Sequence, residues 1–87
     1  MIRDYTNYLQ ADDDTKRTMQ RMLFLDYLEE VTVWNSRHPE EEELELMQVL
    51  YEGMKEYEDE ENYEMCQLYK DVLENILDND SEFRRVY

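Results

Sequence analysis

Turn-forming residues are scarce in this sequence, which has one glycine, Gly53, and one proline, Pro39, among 87 residues. A β-fold needs glycine, proline and other turn residues at short intervals, so this scarcity favours a few long helices. A chain of this length has apolar surface for one core only. The sequence therefore predicts a single all-α domain over residues 1–87, built as a small bundle of three main helices.

The first main helix is predicted over residues 13–35, because the aspartates at positions 12–14 can accept hydrogen bonds from the free amides of a new helix. Residues 1–11 before it are expected to form a short helix or a packed arm. Four side chains of this arm lie at helical spacing: Ile2, Tyr5, Tyr8 and Leu9. The buried arc of the first helix is expected to comprise Leu23, Phe24, Tyr27, Leu28, Val31 and Trp34.

The second and third helices are predicted over residues 39–57 and 61–77, followed by a tail at 79–87. Proline is favoured in a first helical turn, and the four glutamates after Pro39 suit the positive end of the helix dipole. Residues 58–62 contain no glycine or proline, so one continuous helix is an alternative. A hairpin is favoured because the two apolar stripes then cover each other. The expected stripes are Leu46, Met47, Leu50, Tyr51, Met54 and Tyr57, and Met65, Cys66, Tyr69, Val72, Leu73, Ile76 and Leu77. We expect Gly53 to allow a close helix crossing.

Negative charge is concentrated in residues 39–82, which hold 17 carboxylates and two lysines, Lys55 and Lys70. Their net charge equals the −15 of the whole chain. Phosphates repel such a surface, which excludes direct binding to nucleic acid or to an anionic membrane. The longest apolar run, residues 22–25, is too short for a membrane span. We expect a soluble, cytoplasmic protein, located in the host cell if a phage encodes it, whose partner is a basic protein.

The carboxylates are predicted to form two rows on the outer faces of the second and third helices. Residues four apart on a helix rise about 6 Å, close to the separation of successive phosphates along a nucleic-acid strand. Two such rows can occupy a groove that another protein uses to bind phosphates. The partner-binding residues predicted on this basis are Glu41, Glu45, Glu52, Glu56 and Asp59 in the first row, and Glu60, Glu64, Asp71, Glu74 and Asp78 in the second.

Catalysis and cofactor binding have little support in the sequence. His38 is the sole histidine and adjoins a proline, while Cys66, the sole cysteine, lies on a predicted buried arc. Residues 78–82 repeat the alternating oxygen ligands that open a calcium loop, but Phe83 stands where that loop needs glycine. We therefore predict no enzymatic activity, no metal site and no cofactor.

Two functions are compatible with these features. In size, charge, helicity and tyrosine content the chain resembles the small acidic proteins that phages encode, some of which block CRISPR effectors, restriction enzymes or the transcription machinery. This resemblance implies a non-enzymatic inhibitor that mimics nucleic-acid phosphates in the basic groove of a DNA- or RNA-binding protein. The alternative is a helical adaptor or assembly subunit whose acidity serves solubility. Its homodimer interface would comprise Met19, Met22, Leu25 and Val33.

Overall fold

A computed structural model describes residues 7–78 and Phe83. Within these residues a 3-10 helix at Tyr8–Gln10 is followed by three α-helices. They are α1 (Asp13–Arg37), α2 (Leu46–Asp59) and α3 (Tyr63–Leu77). Within the described residues there is no strand, so the predicted small all-α bundle is confirmed. The predictions for Ile2 and Tyr5, and for the tail apart from Phe83, fall outside the described residues.

Hydrogen bonds to backbone groups cap helix α1 at both ends. Asp12 Oδ1 accepts a hydrogen bond from the Thr15 N–H at 2.7 Å. This hydrogen bond lowers the pKa of the Asp12 carboxyl, because it favours the charged form. At the other end the His38 N–H donates to the Trp34 carbonyl at 2.9 Å, and the His38 ring stacks on Trp34 with centroids 3.7 Å apart.

The bend between α2 and α3 confirms the predicted hairpin. The Asn62 N–H donates to the Tyr57 carbonyl at 2.8 Å, and the Glu61 N–H donates to the Glu58 carbonyl at 3.0 Å. This pair of hydrogen bonds is the Schellman arrangement that closes many helices. Glu61 occupies the left-handed position, with φ 60°. Asn62 then caps α3 by accepting a hydrogen bond from the Met65 N–H at 3.3 Å.

The predicted start of the second helix at Pro39 was wrong, since α2 begins at Leu46. The Glu41 N–H donates to the His38 carbonyl and closes a turn there. The side chain of Asn35 then makes two hydrogen bonds to the backbone of Leu44, at 2.8 and 3.2 Å. These bonds hold residues 40–45 in a non-helical path. The four consecutive glutamates have no apolar side chain to pack, so tertiary hydrogen bonding outweighs the local helix signal.

The core lies between the three helices and includes residues from both ends of the described chain. Phe24 stacks on Phe83 with ring centroids 4.6 Å apart. Gly53 permits a close approach of α2 and α3, because a Cβ there would lie 2.7 Å from Tyr69 Cε2. The fully or nearly buried residues are Tyr8, Leu23, Phe24, Val31, Leu46, Leu50, Leu68, Tyr69, Val72, Ile76 and Phe83. Three residues predicted to be buried are instead exposed: Trp34, Tyr51 and Leu77.

Candidate partner-binding surface

The densest group of exposed carboxylates lies in residues 40–45, which we call the acidic segment. Its five glutamates, at positions 40–43 and 45, are all exposed. Glu42, Glu43 and Glu45 line a concavity of about 370 Å³ together with Glu52 from the first half of α2. Glu43 also lines an adjoining concavity of about 220 Å³ with Glu41. The non-helical path of the acidic segment therefore brings five carboxylates around two neighbouring depressions.

The first predicted row is divided by this path. Glu41 precedes α2, and Glu45 is the residue immediately before the helix, so the straight helical row of five was wrong. Glu52, Glu56 and Asp59 do lie on α2 and are exposed. The positive charge of Lys55 on the same helix is paired with a carboxylate, because its Nζ lies 3.4 Å from Glu58 Oε1. This contact with Glu58 raises the pKa of Lys55.

The second predicted row is interrupted on α3. Glu60, Glu74 and Asp78 are exposed, but Glu64 and Asp71 are half-buried. Glu64 Oε1 is enclosed and has no hydrogen-bond partner within the described part of the chain. Asp71 accepts hydrogen bonds from the Tyr8 hydroxyl and from Gln67 Nε2. An aspartate engaged in this way serves the fold, and we leave both half-buried acids out of the contact surface.

The polar contacts of Asp71 connect the N-terminal 3-10 helix to α1 and α3. Gln20 Nε2 donates to the Tyr8 hydroxyl oxygen at 2.7 Å. Asn75 Nδ2 in turn donates to Gln20 Oε1 at 2.7 Å. Burial, followed by the hydrogen bond to Asp71, raises the pKa of Tyr8 above its ordinary value. The network stabilises the neutral phenol and engages the Asp71 carboxylate in contacts within the fold.

An apolar groove lies beside the acidic segment, and we call it the Trp34 groove. It has a volume of about 530 Å³. The Trp34 side chain is 42% exposed, and Val33 and Leu44 are similarly exposed. This surface was missed in the sequence, where Trp34 falls on the apolar arc. The lining residues are Glu29, Glu30, Val31, Val33, Trp34, Arg37, His38, Leu44 and Val49.

The four residues predicted for self-association do not form a uniformly open surface. Met19 packs against the core, and Met22 is half-buried. Leu25 is exposed, and Val33 lines the Trp34 groove. The four residues therefore differ in their surroundings. Val33 belongs to the groove, Leu25 is exposed elsewhere, and the two methionines are half-buried.

His38 and Cys66, for which the sequence predicts no catalytic role, are both half-buried. Because a carbonyl oxygen only accepts hydrogen bonds, the His38 Nδ1 that lies 3.0 Å from the Trp34 carbonyl carries the proton. Cys66 is half-buried and has no disulfide partner. Over residues 7–78 and Phe83, no cluster of three or more His, Cys, Asp or Glu residues has the arrangement of a metal site. The calcium-like positions 79–82 fall outside the described residues.

No helix formed by the described residues has both the length and the apolarity needed to cross a bilayer. Comparisons with protein-family models, with curated proteins and with solved structures gave no match.

Proposed function

We propose that this protein is a non-enzymatic inhibitor that places its carboxylates where a nucleic-acid-binding protein holds phosphates. The observation that carries the proposal is the concavity lined by Glu42, Glu43, Glu45 and Glu52, which contains no basic side chain. Phosphate contacts supply most of the affinity of proteins for nucleic acids, so a fixed group of carboxylates can compete without mimicking bases.

Unfavourable repulsion supports a use for this charge beyond solubility. Surfaces that serve solubility usually intersperse both signs of charge. Here four glutamates follow one another directly in positions 40–43, and α2 continues with Glu52 and Glu56. Like charges one helical turn apart destabilise a helix by about 0.2–0.5 kcal/mol per pair. A basic partner would turn this repulsion into attraction and would accelerate association by electrostatic steering.

The proposed contact surface extends from the acidic segment along the exposed face of α2. It keeps six of the residues predicted from sequence and adds two glutamates of the segment. It leaves out Glu74 and Asp78, which are exposed but belong to α3 and its C-terminal end. The likeness in size and charge to phage-encoded inhibitors points to a CRISPR effector, a restriction enzyme or the transcription machinery in a host cytoplasm as the class of target. The contact residues are Glu41, Glu42, Glu43, Glu45, Glu52, Glu56, Asp59 and Glu60.

Salt and nucleic-acid competition test the proposal on a partner captured with the immobilised protein. We expect the partner to dissociate as salt increases, and to be displaced by added DNA or RNA. Changing Glu42, Glu43, Glu45 and Glu52 to Gln should abolish capture. A matched variant with the same net charge carries Asp13→Asn, Asp14→Asn, Glu61→Gln and Glu74→Gln, and it should retain capture. Binding that is insensitive to both salt and nucleic acid would show that mimicry is wrong.

The alternative function, a helical adaptor that self-associates, is favoured by the apolar exposure of Leu25 and Val33, which are 47% and 40% exposed. It predicts a concentration-dependent dimer in sedimentation equilibrium. Changing both residues to Glu should then yield a monomer, while the four-fold Gln variant of the acidic surface should remain dimeric. A wild-type protein that is monomeric at every concentration would exclude this dimer.

A further inference from the structure

We infer that the Trp34 groove binds an amphipathic basic segment of the partner protein. An apolar side chain of that segment would enter the groove while its lysine or arginine side chains meet the surrounding carboxylates. The inference deepens the proposed function, because it requires a basic partner. It adds a specific apolar anchor that phosphate mimicry alone does not need.

The walls of the groove are fixed before any partner arrives. The His38 ring stacks on Trp34, with the ring centroids 3.7 Å apart. The Asn35 side chain holds the backbone of Leu44 through two hydrogen bonds of 2.8 and 3.2 Å. Binding to a preformed surface avoids the entropic cost of ordering it. Its volume, about 530 Å³, falls within the range of about 300–1,000 Å³ that is usual for ligand pockets.

Charge complementarity identifies the chemistry of the occupant. Glu29 and Glu30 of α1 line the groove itself, where Arg37 supplies one positive charge. Leu44 and Val49 line both the groove and the concavity that holds Glu42, Glu43, Glu45 and Glu52. An apolar floor therefore continues directly into an acidic wall. A segment with apolar and basic faces matches both surfaces at once, as in recognition of an amphipathic helix by a groove.

Two other occupants fit the charges less well. A second copy of this chain would bring another net charge of −15 towards an acidic rim, so like-charge repulsion opposes a dimer through this groove. Anionic lipid would be repelled for the same reason.

Trp34 has the character of an interface anchor. Tryptophan is among the residues that most often dominate binding energy when a partner buries them, and Trp34 is exposed where it lines the groove.

Tryptophan fluorescence tests the inference directly, because Trp34 is the sole tryptophan of the chain. The probe is a synthetic amphipathic peptide of leucine and lysine, about 15 residues long so that it can form a helix. We expect the emission of Trp34 to shift to shorter wavelength and to saturate as the peptide is added. The matched control peptide has serine in place of every leucine. An equal shift with both peptides, or no shift with either, would overturn the inference.

Variants of the groove separate apolar anchoring from charge. Val33→Gln and Leu44→Gln change exposed side chains and leave net charge unchanged. Each should weaken binding of the leucine–lysine peptide by about tenfold, the effect of losing burial of one aliphatic side chain. Leu25→Gln, an exposed residue that does not line the groove, should bind as the wild type does. Circular dichroism verifies folding. Equal affinity of the two groove variants and the wild type would overturn the inference.

The remaining outcomes also decide the question. A change in Trp34 emission with protein concentration alone would assign the groove to a second copy. A change on removal of residues 84–87 would assign it to the chain's own C-terminal end. Either result overturns the inference but leaves the proposed function to be judged by salt and nucleic-acid competition. Conversely, if the groove binds the peptide but nucleic acid does not displace the captured partner, phosphate mimicry is wrong and the inference about the groove stands.

Discussion

Gly53 is the residue on which the contact between α2 and α3 most closely depends. A Cβ at this position would meet the ring of Tyr69, which is buried and shares a 2.8 Å hydrogen bond with Tyr27. We expect Gly53→Ala to lower the free energy of unfolding by about 1 kcal/mol in urea denaturation. Overpacking outweighs the gain of about 1 kcal/mol in helix propensity that alanine brings.

The control for Gly53→Ala is the same change in a Tyr69→Leu background. Without the aromatic ring the added methyl group has room, so the substitution should no longer destabilise the protein. Double-mutant analysis isolates this coupling, because the two residues are in contact. A stabilising effect of Gly53→Ala alone would show that the helices do not approach closely here.

The hydroxyl of Tyr8 should make stability depend on alkaline pH. Burial, together with the hydrogen bond to Asp71, raises the pKa of Tyr8 in the folded protein. Above the unfolded value of about 10 the folded state thus binds more protons, and the free energy of unfolding falls as pH rises. We expect the wild type to lose stability more steeply than Tyr8→Phe between about pH 9 and 11.5.

Denaturation curves of both proteins at several pH values check this expectation. Tyr8→Phe removes only the hydroxyl and keeps the aromatic ring, so packing is little changed. The pKa of Tyr27 is also raised, mainly by burial, but Tyr27 is present in both proteins. Parallel pH dependences for the two proteins would contradict the assignment to Tyr8.

At the scale of helices, the bend between α2 and α3 contains strain that substitution can relieve. Glu61 has φ 60°, a conformation that glycine adopts without penalty but other residues do not. We expect Glu61→Gly to raise the free energy of unfolding by about 1 kcal/mol, measured by chemical denaturation. Glu61→Gln removes the charge but keeps the backbone strain. If Gln stabilises as much as Gly, charge and not backbone conformation is responsible.

Helix positions followed from local patterns where no distant contact competed. The predicted first helix, 13–35, and the third, 61–77, lie within two residues of the observed bounds. The start of α2 could not be predicted in this way. Pro39 and the glutamates after it have the local signature of a helix start, but Asn35 binds Leu44 across nine residues. That contact exists only once the chain has folded.

Over the whole molecule, the sequence predicted which half of the chain is acidic but not how its charges are arranged. The straight rows required α2 to begin at Pro39 and Asp71 to point outward. In the structure α2 begins at Leu46 and Asp71 is half-buried. Trp34 shows a related limit. Helical periodicity placed it on the same arc as Val31, but it does not say how far along that arc the neighbouring helices reach. The groove arises where their coverage of α1 ends.

The charge of −15 predicts that salt stabilises the isolated protein. Repulsion among exposed carboxylates opposes the compact state, and the Debye length falls from about 30 Å at 0.01 M to about 10 Å at 0.1 M salt. We expect sodium chloride to raise the free energy of unfolding by about 1 kcal/mol over this range, which corresponds to about 4–8 °C in melting temperature.

The acidic segment should account for a large part of that response. Changing Glu40, Glu41, Glu42 and Glu43 to Gln removes four adjacent charges from a non-helical, exposed path, so it should raise the melting temperature at low salt and flatten its salt dependence. The matched variant at positions 13, 14, 61 and 74 has the same net charge but spreads the changes, and because repulsion depends on distance it should flatten the dependence less. Equal responses of the two variants would mean that net charge alone, not its local density, opposes folding.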